Sequence, residues 1–431
     1  MMRMIKIKEQ NILLLILLLA CLFRLGSYNI IPLFSDTGLY ARISAEISNG
    51  DYWLTGPNAS DKPPVFFYVQ AAFFALFGVY ESVAVLPSFL AGLIGVVFVY
   101  AIGKQVHGEV AGRWAAFMMA ISPTAVEMSG VGLVDGLLVT TILWSFWLLL
   151  KQHFFWGGVA IGLAFGVKQT TLAFGPLYLY WIIICAIYRD PDPIRSLWYA
   201  LKNSMFGFSF VFLPVVYWSI FLAEQRLKIF LDIFWRLGIV EKVREHGMYE
   251  FIGSIEWRIS ELSERFSQMI GVSWHFLAPA FALGIVLSLG RVLHSKINGR
   301  TPRLYDWLNL GVVGFAIFYL YVYVFHLHKL GGISYLYPVF PLVILSFAFL
   351  IADLHAVTES LNGTQFRRII VLPAFKLLPW LLAGILTIWL LKNSINTVKH
   401  NIKTYYSSPT QGFNSVSKRL AKETPNSWYV N

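Results

Sequence analysis

A succession of apolar runs separated by short polar stretches constrains this chain more than any motif in it. The runs fall at 11–34, 83–100, 111–126, 131–150, 156–174, 177–188, 205–222, 274–289, 307–325, 335–351 and 377–391. Most approach the roughly twenty residues that an α-helix needs to cross a hydrocarbon layer. With 57% of its 431 residues hydrophobic and only 13% charged, the chain carries more apolar surface than one water-bounded core can bury. The expected fold is an all-α polytopic membrane protein, a bundle of about 11 transmembrane helices. In the first run Leu18-Leu19-Ala20-Cys21 resembles a lipoprotein cleavage box, but apolar character resumes after Arg24, which favours an uncleaved span.

The formal net charge of +11 sits in clusters between the runs, so it reports topology rather than a nucleic-acid partner. With a cytoplasmic N-terminus, the clusters at 3–8, 104–113, 151, 189–202, 291–303 and 367–376 all fall on the inner side. The outer side then carries a loop at 35–82, a short turn at 127–130, a second loop at 223–272, a turn at 326–333 and a tail at 393–431, with residues 1–392 forming one transmembrane unit. Leu39, Ile43 and Ile47, then Val65, Tyr68 and Val69, recur at helical spacing. So do Ile252, Ile255, Ile259, Leu262, Phe266 and Met269. Both outer loops are therefore expected to hold amphipathic helices lying in the interface. Cys21 and Cys185 lie inside apolar runs, so neither a disulfide framework nor a thiolate metal site is expected.

The residues able to do chemistry gather toward the outer face. Asp36 follows the first run directly, and alone it would be no more than a favoured helix N-cap. Its company gives it weight: Tyr40 one turn on, Asp61-Lys62-Pro63-Pro64 at the end of the same loop, and Asp135 just inside a later run. An ionisable group at that depth is expensive and usually functional or paired, although a helix beginning at Gly136 would make Asp135 a cap. Lys168 poses the same question, with snorkelling to the headgroups as the competing reading. Two prolines after Lys62 stiffen its backbone and would hold its ammonium in place. His326, His328 and Lys329 precede Tyr335-Leu336-Tyr337-Pro338. The two histidines lack evident third and fourth ligands, so a phosphate or interfacial role is favoured over a metal. No cofactor follows from these residues, and a divalent metal is left open.

Taken in order, Asp36-x-x-x-Tyr40-Ala41, Asp61-Lys62-Pro63-Pro64, Pro87, Asp135-Gly136-Leu137, Gly162-Leu163-Ala164 ahead of Lys168, and Tyr335 to Pro341 carry a resemblance. The chain resembles the polyprenyl-phosphate-sugar-dependent glycosyltransferases of the GT-C class, in the branch of the lipid A aminoarabinose transferase and the relatives of protein O-mannosyltransferases. The resemblance covers 11–176 and, later, only the aromatic-proline stretch. It implies inverting transfer of a sugar at the outer face. The donor would be a polyprenyl or dolichyl monophosphate sugar, and the acceptor a hydroxyl of a glycan, lipid or protein. It also implies that Asp36 is the catalytic base. Such enzymes often carry a second acid immediately after the first. Thr37 stands there, so Asp135, with Asp61 as a weaker alternative, is the candidate for that role. Lys62, with Lys168 or the cluster from His326 to Lys329, is expected to balance the charge of the departing phosphate. Tyr40, Asp61, Tyr335 and Tyr337 are expected to contribute to the donor site.

Asp190-Pro191-Asp192 has the D-x-D form of soluble glycosyltransferases, but among prolines on the inner face it reads as a rigid turn. A transporter or flippase, with Asp135 and Lys168 as substrate or ion sites, is the competing reading. Against it stand the lack of an internal repeat and the clustering of polar candidates near one face. A non-catalytic lipid-binding member of the same fold is a further alternative, kept open by Thr37.

Overall fold

The computed structural model describes residues 2–28, 33, 35–54, 62–188, 192–222, 274–298, 304–322 and 336–363, with scattered positions between 384 and 399. Among the described residues every regular element is helical. The first half comprises α1 (Met2–Leu25), α2 (Ser35–Ser48), α3 (Val65–Phe77), α4 (Glu81–His107), α5 (Glu109–Ile121), α6 (Pro123–Gly130), α7 (Asp135–Leu150) and α8 (Phe154–Val167). A 3-10 turn, Gln169–Phe174, leads into α9 (Gly175–Ile187) and α10 (Pro193–Tyr217). Then come α11 (Trp274–Ile297), α12 (Leu304–Val322) and, after the 3-10 turn Tyr337–Val339, α13 (Phe340–Gly363).

The chain is an integral membrane protein. Four helical stretches are long and apolar enough to cross a bilayer: Glu81–His107, Gln169–Ile187, Pro193–Ile220 and Tyr337–Ala356. Counting the bent pair Pro123–Gly130 and Asp135–Leu150 as one span makes five, and shorter apolar helices such as Phe154–Val167 pack among them. The expected eleven is thus not reached by this measure among the described residues. Composition alone does not show where the backbone breaks. The run at 111–126 stops at Ser122, because Pro123 has no N–H to continue the ladder. The run at 131–150 becomes helical only at Asp135, after Gly132 turns with a φ of +67° that a side chain would disfavour. The run at 156–174 is cut at Lys168, and the apolar stretch resumes as Gln169–Ile187. The expected interfacial segment at 252–269 lies outside the described residues.

α8 packs on α10 through a glycine repeat that reading for polar motifs passed over. Gly158, Gly162 and Gly166 follow one another every four residues, and a Cβ at Gly158 would sit 2.1 Å from the Ser204 carbonyl oxygen of α10. Across the contact, a Cβ at Gly207 would sit 2.0 Å from the Phe155 carbonyl oxygen. Small residues of this kind let membrane helices approach to backbone contact, where dispersion has most to gain. Gly158→Ala is expected to push the two helices apart and cost about 1–3 kcal/mol, read as a lowered midpoint in thermal unfolding in detergent. An unshifted midpoint would show that the contact has slack.

Two polar clusters fasten the remaining elements. Between α2 and α3, Tyr40 packs on Phe66 and Phe67. The Ser44 hydroxyl donates to Gln70 Oε1 (2.6 Å), and Gln70 Nε2 donates to the Ala84 carbonyl (2.7 Å), which carries the connection into α4. At the opposite end of α4, His107 meets Asp353 of α13 (2.9 Å). Asp353 also pairs with Arg291 of α11 (2.8 Å), and Arg291 with the buried Asp306 of α12 (2.7 Å). Part of the basic cluster at 291–303 is therefore consumed in holding helices together.

Candidate active site

The path of the chain explains how two distant charges meet. α6 and α7 are inclined at 118° to one another, and the start of α7 is pinned to α4. The Ser88 hydroxyl donates to the Leu133 carbonyl (2.7 Å), and the Thr140 hydroxyl to that of Ala91 (2.6 Å). Val134 occupies the N-cap, so Asp135 lies within the first turn of α7, where the helix dipole favours a negative charge. The cap reading of Asp135 is thereby corrected.

Lys168 sits where α8 ends in an extended residue (φ −155°, ψ 128°), and its carbonyl accepts the Thr171 hydroxyl (2.9 Å). Its ammonium donates to Asp135 Oδ1 at 2.7 Å, with only 4% and 2% of the two side chains exposed. Lys168 therefore turns inward instead of snorkelling. Each charge compensates the desolvation of the other, and neither would be tolerated alone in such a place.

Lys62, Pro63 and Pro64 are buried, with Lys62 at 7% exposure. Val65, which follows them, packs on Gly166, so this segment crosses the end of α8 close to Lys168. The loop after α2 is tied to the same region, since the Trp218 indole N–H donates to the Trp53 carbonyl (3.3 Å). α2 and α3 pair in step, Tyr40 with Phe66 and Phe67 and Ser44 with Gln70. That order brings the first turn of α2, and Asp36 in it, toward the Lys62 end of α3. Asp36 is exposed, whereas Thr37 beside it is buried. The position next to Asp36 thus faces packing, which suits a threonine better than a second carboxylate. Tyr337 is buried, and its 3-10 turn packs beside α7.

Asp61, His326, His328, Lys329 and Tyr335 lie outside the described residues. Among the described residues no three His, Cys, Asp or Glu side chains gather as a metal site requires. Asp192 caps α10 by accepting the Arg195 N–H (3.2 Å), in keeping with a structural role for that aspartate. Sequence reading missed Arg24, which is wholly buried. In the sequence it reads as an interruption of the first apolar run, although an arginine at that depth is itself a signal.

Residues 61–218 match the family described as dolichyl-phosphate-mannose-protein mannosyltransferase. That segment begins at the Lys62 loop and takes in Asp135 and Lys168. YkcB of Bacillus subtilis (strain 168), named as a candidate mannosyltransferase, is 33% identical over 156 residues. The match covers 34% of this chain and 21% of that protein, so the chain spans about a fifth of its relative's length. The crystal structure of ArnT from Cupriavidus metallidurans in the apo state superposes with a TM-score of 0.64 at 15% identity, covering 95% of this chain and 80% of that one. The fold is that of the GT-C glycosyltransferases. The same enzyme bound to undecaprenyl phosphate gives 0.63 at 16% identity over the same shares. A third GT-C structure is the archaeal oligosaccharyltransferase AglB from Archaeoglobus fulgidus, in complex with an inhibitory peptide and a dolichol-phosphate. It gives 0.62 at 14% identity over 98% of this chain and 58% of that one. Within this fold, the buried Asp135–Lys168 pair and the buried Lys62 segment next to the end of α8 form the candidate active site.

Proposed function

We propose that this chain is an integral-membrane glycosyltransferase that moves a sugar from a polyprenyl monophosphate carrier to an acceptor hydroxyl, with inversion, at the outer face of the membrane. The observation that carries this reading is the buried Asp135–Lys168 pair, crossed by the buried Lys62 segment at the end of the bundle to which α2 brings Asp36. Lysines fixed in a dry site stabilise a phosphate far better than they do in water, because no solvent has to reorganise as charge develops. The undecaprenyl phosphate and dolichol-phosphate named in the ArnT and AglB structures support a carrier of the polyprenyl type. The inward clustering of basic residues supports the outer location of the site.

In the reaction the acceptor oxygen attacks C1 of the sugar, the bond between C1 and the phosphate oxygen breaks, and the carrier monophosphate leaves with the electron pair. Asp36 takes the acceptor proton, being exposed where an acceptor can reach it. Asp135 serves Lys168 instead of the acceptor, since its Oδ1 is already occupied by the ammonium. This divides between two carboxylates the work of base and of cation holder. Lys62 and Lys168 meet the charge on the leaving phosphate. Tyr40, packed on Phe66 and Phe67, fastens the helix that carries the base to the helix that follows Lys62.

Carrier binding tests the phosphate assignment. Lys62→Gln is expected to weaken undecaprenyl phosphate binding about tenfold to a hundredfold, the worth of one charge-assisted hydrogen bond. Calorimetric titration of the purified protein in detergent reads it, and an unchanged affinity would remove Lys62 from the phosphate site.

A further inference from the structure

Arg24 is among the largest wholly buried side chains, at 0% exposure, and the reaction above makes no use of it. It lies in the last turn of α1. Its four hydrogen bonds among the described residues all run to neutral oxygens. Nη1 donates to the carbonyls of Ala20 (3.2 Å) and Ala120 (3.1 Å), Nη2 to that of Met119 (3.2 Å), and Nε to the Ser129 hydroxyl (3.2 Å). A buried cation whose described hydrogen bonds run to neutral groups is costly to desolvate, and it persists where those groups need it as much as it needs them.

The carbonyls of Met119 and Ala120 are in that position. They belong to the last turn of α5, which ends at Ile121 with Ser122 as its C-cap, and Pro123 has no N–H to return to the Met119 carbonyl. Lipid offers no replacement donor. The guanidinium supplies one, and a cation at a helix C-terminus is further favoured by the dipole. The next carbonyl, that of Ile121, accepts the Ser394 hydroxyl. Beyond the break, Ser129 donates to the Ala125 carbonyl (2.6 Å), so Nε ties α6 to α5 and α1. Gly92 of α4 leaves the room for this, since a Cβ there would meet the Ser129 hydroxyl at 2.0 Å and Arg24 Nε at 3.2 Å. The 118° bend between α6 and α7 lies one short helix farther on, at 131–134, just past Ser129.

We propose that Arg24 is a positioning residue of the candidate active site, fixing the break between α5 and α6 and thereby the bend that sets Asp135 against Lys168. The geometric part stands on the contacts above, and only its effect on turnover rests on the glycosyltransferase reading.

The test uses full-length protein in lipid nanodiscs. Arg24→Lys keeps the charge but loses the fork that reaches four separate oxygens. It is expected to raise hydrogen exchange of the amides at 131–136 about tenfold, the equivalent of one lost hydrogen bond. Exchange in α8 and α10 should stay at parent values. Sugar transfer should fall by a similar factor while undecaprenyl phosphate affinity stays within about twofold. Equal exchange at 131–136 in the two proteins would overturn the proposal, as would a transfer loss that merely follows lost carrier affinity. If Arg24→Lys does not fold, Ser129→Ala removes one acceptor with little change of volume. Raised exchange at 131–136 then supports the role, and parent-like exchange overturns it. Should the parent protein transfer no sugar from any carrier, the glycosyltransferase reading fails, while the exchange comparison still decides the role of Arg24.

Discussion

Lys168→Met will destabilise the protein by about 3–5 kcal/mol, because it strands the Asp135 carboxylate in the interior with its ammonium partner gone. Both side chains are almost fully buried, so water cannot take over the lost contact. Breaking such a pair costs far more than the pair is worth against an apolar replacement. For that reason Asp135→Leu combined with Lys168→Met should recover most of the lost stability. Transfer should stay absent in the double variant, since the phosphate then lacks a cation that the fold had held in place. Thermal unfolding separates the two effects. A single variant that melts with its parent would show that the pair holds nothing, and a double variant active at the parent rate would remove Lys168 from the site.

Asp36→Asn should behave in the opposite way. Asp36 is exposed in the first turn of α2, so its loss as a charge should change stability by no more than about 0.5 kcal/mol. Transfer should fall by about 10²–10⁴, the contribution of a positioned general base. A second acid placed at Thr37 would not substitute, because that side chain is buried and a carboxylate there would have to be desolvated. Carbohydrate transfer measured beside melting temperature distinguishes a chemical role for Asp36 from a structural one.

Sequence carried the class of fold plainly, since apolar runs of bilayer length leave a chain few options besides a helical bundle. It carried the boundaries poorly. Ser122-Pro123 and Gly132 divide continuous apolar stretches, and hydropathy gives such breaks no weight. Asp135 and Lys168 were each visible as charges out of place, but not as partners. Their meeting depends on the bend after α6 and on the extended backbone of Lys168, neither of which has a spacing to read. Lys62 was legible because two prolines mark its segment. Arg24 escaped notice for the opposite reason, being a lone charge whose partners are backbone carbonyls that no side-chain pattern reveals. The glycine repeat of α8 was present in the letters, and only its packing on Ser204 and Phe208 gives it meaning.

The measurement that bears most directly on the central claim is transfer from radiolabelled polyprenyl-phosphate sugars to host membrane fractions, with the intact protein and with Asp36→Asn at equal folded amounts. The account predicts label transferred by the intact protein and lost in Asp36→Asn, with undecaprenyl phosphate still bound by both. Equal transfer by the two proteins would contradict the assignment of Asp36 as base, and no transfer from any carrier by the intact protein would contradict the glycosyltransferase reading itself.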